Sequence, residues 1–207
     1  MTQQYKTEQE KFWAGAFGDE YITRNQGEEA IAGNLALFSK ILSRTGGIDS
    51  VIEFGANIGL NLLALRQLLP KAELSAIEIN RTAVQALERI GGVTVYPQSI
   101  LDYTSDRERD MVFIKGVLIH INPDALPQVY ELLHRTSRKY LLVCEYYNPS
   151  PVQIPYRGHG DRLFKRDFCG EILDRYPDLH LLDYGFTYHR DPNFPQDDLT
   201  WFLMEKR

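Results

Sequence analysis

The spacing of apolar residues changes along the chain. Over residues 7–24 and 28–44 it is helical. Ala30, Ile31, Leu35, Leu37, Phe38, Ile41 and Leu42 mark one face of the second segment, and Gly46-Gly47 stops it. Alternation then begins. Ser50–Phe54, Glu73–Ile79, Val93–Tyr96, Met111–Lys115 and Lys139–Tyr146 read as buried strands. Leu60–Leu69, Arg81–Ile90 and Asp124–Thr136 read as helices between them. Pro70 ends the first, Gly91-Gly92 the second, and Asn122-Pro123 opens the third. Strands alternating with helices predict a parallel sheet covered on both faces. Beyond residue 150 the pattern changes. Lys165–Tyr176 reads as a helix, and Leu179–Tyr188 and Leu199–Lys206 as two strands joined by HRDPNFPQDD. Such a terminal hairpin puts one antiparallel strand into a parallel sheet. The expected fold is α/β: a doubly wound, seven-stranded, mostly parallel sheet with an antiparallel last strand. Neither a repeat nor a low-complexity linker interrupts it.

Composition narrows the function classes. The 207 residues, 43% hydrophobic and 25% charged, suit one well-covered domain. A net charge of -5 argues against a general nucleic-acid binder, which usually shows a basic face. No apolar run approaches the ~20 residues that span a bilayer. The polar start MTQQYKTEQEKFW lacks the apolar region of a secretory signal. Cys144 and Cys169 have no CxxC spacing, and Cys144 lies in an apolar run, which fits a buried free thiol. These features together predict a cytoplasmic protein with no membrane, nucleic-acid or metal partner.

The chemistry starts in VIEFGANIGLN, residues 51–61. A strand end followed by a glycine turn is where open α/β sheets hold ligands. A phosphate loop of the GxxxxGK type needs a lysine that is missing here, since Leu60 and Asn61 follow Gly59. A GxGxxG dinucleotide turn needs glycine where Asn57 and Leu60 stand. What remains is Glu53, Gly55 and Gly59, with Asn57 where many relatives have glycine. The spacing resembles that of class I S-adenosylmethionine-dependent methyltransferases. In such a site the acid would face the α-ammonium of the methyl donor, and the glycines would let backbone lie against its methionyl part. The rival reading is a generic strand-to-helix turn with packing glycines. Two further loops favour the methyltransferase. Glu78 ends the second strand, where an acid accepts both hydroxyls of a ribose. Ser99, Ile100 and Leu101 follow the third strand and would frame an adenine, with Asp102 or Ser99 near its amino group. The terminal hairpin agrees with that family's antiparallel seventh strand.

Four further blocks, FWAGAFGDEYITRN (12–25), FIKGVLIHINPDAL (113–126), CEYYNP (144–149) and YRGHGDRLFKRDF (156–168), resemble the small pseudaminic acid biosynthesis-associated methylases. The resemblance covers almost the whole chain and implies a sugar-related acceptor. Trp13, Phe17 and Tyr21 form one aromatic helical stripe, which is either core packing or part of a lid. With residues 1–46 read as a lid over a domain of residues 47–207, Arg24 would meet the donor's carboxylate and Tyr21 its sulfonium end. Trp13 would border the acceptor. Lys115-Gly116 ends the fourth strand, beside which the family places the transferable methyl. Asp/Asn-Pro-Pro-Tyr/Phe, the signature of amide or nucleobase N-methylation, is absent. His120 is the candidate general base, with His159 the second catalytic candidate. Arg157, His159, Arg162, Lys165 and Arg166 crowd into a short loop opposed by Asp161. That loop is either a solvated face or an anion-binding cover, since arginine forks bind carboxylate and phosphate. Tyr146, Tyr147 and Asn148 would add hydroxyl and amide contacts. The expected activity is methyl transfer from S-adenosylmethionine to a small anionic acceptor, leaving S-adenosylhomocysteine. A carboxylate O-methyltransferase and a non-catalytic cofactor-binding module remain the alternatives.

Overall fold

The computed structural model describes residues 5–24 and 27–207. Helices α1 (Glu8–Ala14), α2 (Ala16–Arg24) and α3 (Glu28–Leu42) precede the sheet. Then follow β1 (Ser50–Phe54), α4 (Leu60–Leu68), β2 (Glu73–Ile77), α5 (Arg81–Ile90), β3 (Val93–Tyr96) and β4 (Arg109–Lys115). Two short 3-10 turns lead into α6 (Leu126–Thr136) and β5 (Ser137–Glu145). The chain ends with β6 (Val152–Tyr156), β7 (His159–Lys165), α7 (Phe168–Arg175), β8 (Leu179–Phe186) and β9 (Thr200–Lys206).

Seven strands form one sheet in the order β3-β2-β1-β4-β5-β9-β8. The first five pair in parallel, while β9 enters antiparallel between β5 and β8. All five residues of β1 are buried, as the continuous apolar run of a strand covered on both faces requires. Ile52, Val112, Leu141 and Met204 face the layer built by α6 and α7. Val51, Met111, Leu142 and Leu203 face Leu62 and Leu65 of α4, with Phe38 and Ile41 of α3 in the same cluster. Cys144 and Cys169 are free and buried, as expected.

Three local differences from the sequence reading affect the site or its surroundings. The helix expected over 7–24 divides at Gly15, which adopts an extended conformation and lets α1 and α2 turn against each other. The stretch read as a charged loop is the two-stranded hairpin β6–β7, turned at Arg157-Gly158 with φ of 49° and 87°. The helix expected from Lys165 starts later, because the Asp167 carboxylate accepts from the Gly170 N–H at 2.8 Å and caps it.

Candidate functional site

A cavity of about 890 Å³ opens above the C-terminal ends of β1, β2 and β4. Its floor is the turn after β1. Gly55 has φ +80°, and a Cβ there would meet Val117 Cγ2 at 2.7 Å. Gly59 has φ +83°, and a Cβ there would meet Ile90 Cδ1 at 2.6 Å and Leu87 Cδ2 at 2.7 Å. The first glycine therefore allows close passage of the loop after β4, and the second allows α5 to pack. Asn57 takes φ 48°, a left-handed conformation that asparagine tolerates. Its N–H donates to Glu78 Oε2 at 2.7 Å, and the Asn80 N–H donates to Glu78 Oε1 at 2.7 Å. Glu78 thus ties the first cofactor-type loop to the second. Burial raises its pKa, and the hydrogen bonds from these backbone N–H groups oppose the rise.

Glu53 is fully buried beneath the same turn. Its Oε1 accepts from Asn61 Nδ2 at 2.6 Å, whereas Oε2 and Asn61 Oδ1 have no hydrogen-bond partner among the described residues. Burial pushes the Glu53 carboxyl up to about 8, against the opposing pull of Asn61 and Lys115. Two buried acceptors without donors are costly unless a ligand supplies the donors. An ammonium group is the chemistry they fit, and S-adenosylmethionine carries one at its methionyl end.

At the other end, the Ser99 hydroxyl donates to Glu10 of α1 and accepts from the Leu101 N–H at 3.0 Å. Glu10 also closes a capping box: Glu10 N–H to Thr7 Oγ1 at 3.1 Å and Thr7 N–H to Glu10 Oε2 at 2.8 Å. Lys6 adds an ion pair to Asp102 at 2.6 Å. The first helix is thereby fastened over the loop after β3, where Ile100 and Leu101 give apolar faces suited to a purine. Trp13 packs edge-on to Tyr21 at 5.3 Å, and both line the cavity.

The third wall follows β4. Lys115 Nζ donates to Asn34 Oδ1 at 3.3 Å, and Gly116 turns the chain with φ +67°. Glu145 Oε1 accepts the N–H groups of Val117 and Leu118, both at 2.9 Å, and so sets the turn that carries His120. Its Oε2 is unpartnered among the described residues, and burial raises the carboxyl to about 7. His120 Nδ1 lies 2.6 Å from the Arg162 carbonyl oxygen. A carbonyl only accepts, so Nδ1 carries the proton and Nε2 keeps its lone pair. Burial lowers the imidazole to about 4, so it is neutral at physiological pH. Its ring lies 4.5 Å from that of Trp13 and 5.3 Å from that of Tyr156.

The structure therefore brings Trp13, Tyr21, Gly55, Asn57, Glu78, Ser99, Ile100, Leu101, Lys115, Gly116 and His120 to one cavity. Glu53 and Gly59 lie outside the lining: Glu53 is buried behind Asn61, and Gly59 serves helix packing, the reading that the sequence left as the rival. Tyr146 sits behind the lining, with its hydroxyl on Asp197 and its ring 4.6 Å from Lys165 Nζ. Two expected acceptor contacts point elsewhere. Tyr147 is exposed and packs on Phe202, and Asn148 bonds its own loop at the Ser150 carbonyl. Arg157 sits exposed at the hairpin tip, 5.8 Å over the Tyr156 ring, and Arg162 lies 5.2 Å over Phe12 of α1. Arg166 pairs with Glu171 of α7 at 3.1 Å. The side chains of Arg24 and His159 lie outside the described residues. Site residues not anticipated include Asn61, Glu10, Asn34, Gln196 and Asp197. The last two come from the loop between β8 and β9, which Gln196 ties to the Gly33 carbonyl at 2.6 Å. Proline and asparagine in that loop mark a turn but not its reach over the sheet edge.

No protein-family model and no curated protein matches the chain. Solved structures do. The 1,6-didemethyltoxoflavin-N1-methyltransferase of Burkholderia thailandensis, with S-adenosylhomocysteine bound, superposes at TM-score 0.68 and 15% identity, over 96% of this chain and 86% of that one. The plantazolicin methyltransferase BpumL with S-adenosylhomocysteine gives 0.68 at 14% identity, over 96% and 94%. The glycopeptide N-methyltransferase MtfA gives 0.62 at 14%, over 82% and 93%. The fold is that of the class I S-adenosylmethionine-dependent methyltransferases.

Proposed function

We propose that the protein is an S-adenosylmethionine-dependent methyltransferase acting on a small acceptor. The observation that carries this reading is the fit of the cavity to the methyl donor. The donorless buried acceptor Asn61 Oδ1 in the lining, with Glu53 Oε2 buried behind it, suits its ammonium, Glu78 its ribose hydroxyls, and Ile100 and Leu101 its adenine. When bound, the cofactor supplies an electrophilic methyl group on sulfur. Helices α1 and α2 act as the lid that excludes water. His120 presents an unprotonated Nε2 toward the acceptor. With its pKa near 4 it is a weak base, so it orients an acceptor O–H or N–H by accepting its hydrogen bond.

The acceptor is a small molecule, because a cavity of about 890 Å³ lies at the upper end of the ~300–1,000 Å³ of small-ligand sites. We read it as an anionic, sugar-related intermediate handled in the cytoplasm. The Lys115 amine lies in the lining, and Asn34, Asn193 and Gln196 offer amides suited to a polyol. The arginine-bearing hairpin packs on α1 beside the Trp13–His120 pair. Calorimetry with S-adenosylhomocysteine tests the cofactor. Micromolar binding is expected, and no heat at high micromolar ligand with folded protein would refute the assignment. Replacing Arg157 and Arg162 together by alanine tests the anionic acceptor: its KM should rise while cofactor affinity holds. Equal loss of both affinities would place these arginines elsewhere.

A further inference from the structure

One face of the sheet is incompletely covered. On the α6–α7 side, α7 is only eight residues long and seals the start of β8 at Leu179, which is buried. Past that point the face is bare. Register puts Leu181 opposite Met204, Tyr184 opposite Phe202 and Phe186 opposite Thr200, so all three share this side. Tyr184 is 65% and Phe186 56% exposed. Tyr147 continues the surface across Phe202, with ring centroids 6.1 Å apart, and Tyr188 extends it from Phe186 at 6.1 Å. Seven large apolar side chains are exposed among the described residues, and six of them lie on β8, on the loop after it or beside Phe202. Chance would scatter them over the surface.

We infer that this aromatic face is where a second copy of the chain docks. Three observations select that occupant. First, strand β8 ends the sheet order, so no strand among the described residues continues beyond it. Secondly, β8 puts no charged side chain on this side. Asp183 is opposite Leu203, on the other side of the sheet, and pairs with Arg44 at 3.6 Å. A strand face without charge can meet its own two-fold mate without like-charge repulsion. Thirdly, the area suffices. Leu181, Tyr184, Phe186, Tyr188 and Tyr147, each about half exposed and offering roughly 200 Å² apiece, give about 500 Å² per copy. Twice that, about 1,000 Å², is the area a specific interface should clear and suits a reversible dimer. A patch of this size on a monomer usually marks an interaction site.

Sedimentation velocity over a range from nanomolar to tens of micromolar tests this. The expected result is a reversible dimer, and a Tyr184→Glu/Phe186→Glu double variant that is monomeric. Neither residue lines the cavity, so the variant should still bind S-adenosylhomocysteine. Hydrogen exchange on the unaltered protein gives a second reading if the variant misfolds: backbone of residues 181–194 should gain protection with concentration. A wild type that is monomeric throughout, a folded double variant that still dimerises, or concentration-dependent protection located elsewhere would each overturn the inference. A dimer without cofactor binding would sink the proposed function and leave this interface standing.

Discussion

Glu53→Gln separates what the buried acid costs the fold from what it gives the ligand. In the folded protein, burial raises the Glu53 carboxyl from 4.5 to about 8. In the unfolded chain it titrates near 4.5. Below that value both states are protonated and the group is neutral to stability. Between 4.5 and 8 the unfolded chain gives up a proton that the folded one keeps, so stability falls as pH rises through this window. Each pH unit is worth ~1.4 kcal/mol, which makes the cost at pH 7 about 3 kcal/mol. Glutamine imitates the protonated form. It retains an oxygen for the Asn61 Nδ2 donor and places its NH2 where Oε2 has no partner. The variant should therefore exceed the wild type by less than about 1 kcal/mol at pH 5 and by about 3 kcal/mol at pH 7. Glu78 and Glu145 have raised carboxyls of the same sign, but both proteins keep them, so the difference isolates Glu53. Urea unfolding at pH 5, 6, 7 and 8 measures the gap. Two curves that run parallel across this range would refute the argument, because the acid would then be ionised at no cost. In the same variant, S-adenosylhomocysteine affinity should fall at least ~10-fold, since a hydrogen bond to a charged partner is worth ~1.5–3 kcal/mol. Gain of stability with loss of ligand is the expected signature of a group strained for function.

Other consequences are directly measurable. Glu78→Ala should weaken S-adenosylhomocysteine binding by about 10–100-fold in calorimetry, because two ribose bonds to a carboxylate and the Asn57 anchor are lost together; unchanged affinity would remove Glu78 from the ribose. Gly59→Ala forces a side chain into a left-handed turn and into Leu87 and Ile90, and should cost about 2–4 kcal/mol, read as a drop in thermal midpoint. A melting curve equal to wild type would show that α5 gives way. In an NMR titration His120 should change protonation near pH 4, and a midpoint near that of free histidine would mean that water reaches the ring. Glu145→Ala frees the Val117 and Leu118 N–H groups and should move that midpoint, whereas Glu145→Gln, which still offers an acceptor oxygen, should largely restore it.

The sheet was legible because its strands are buried on both faces. Val51, Ile52 and Phe54, or Met111–Ile114, are apolar regardless of which side they face, so no partner need be known. The glycine turn was legible for a different reason: Asn57 and Leu60 exclude the phosphate loops by chemistry alone. The hairpin over 152–165 was not. Pro155 and the crowded charges break its alternation, and it is held by packing on α2 through Phe17–Tyr156 and on α1 through Phe12–Arg162. Glu145 reads as an ordinary acid at a strand end, since its two backbone donors come from residues 117–118, far away in sequence. Asp197 and Gln196 join the site through a turn whose direction only the β8–β9 pairing sets. Local pattern reveals what a segment is, and side chains whose role depends on two segments meeting stay silent.

The carboxylate of Glu10 has two tasks. One oxygen completes the cap of its own helix, and the other takes the hydroxyl of Ser99. The helix and its latch therefore share one group, so loosening either loosens both. If α1 is part of the proposed lid, it would act as a bolt drawn or shot as a piece, and passage in and out of the cavity would be coupled to the winding of its seven residues. A residue change that merely improves the cap would slow traffic through the door without touching the room behind it.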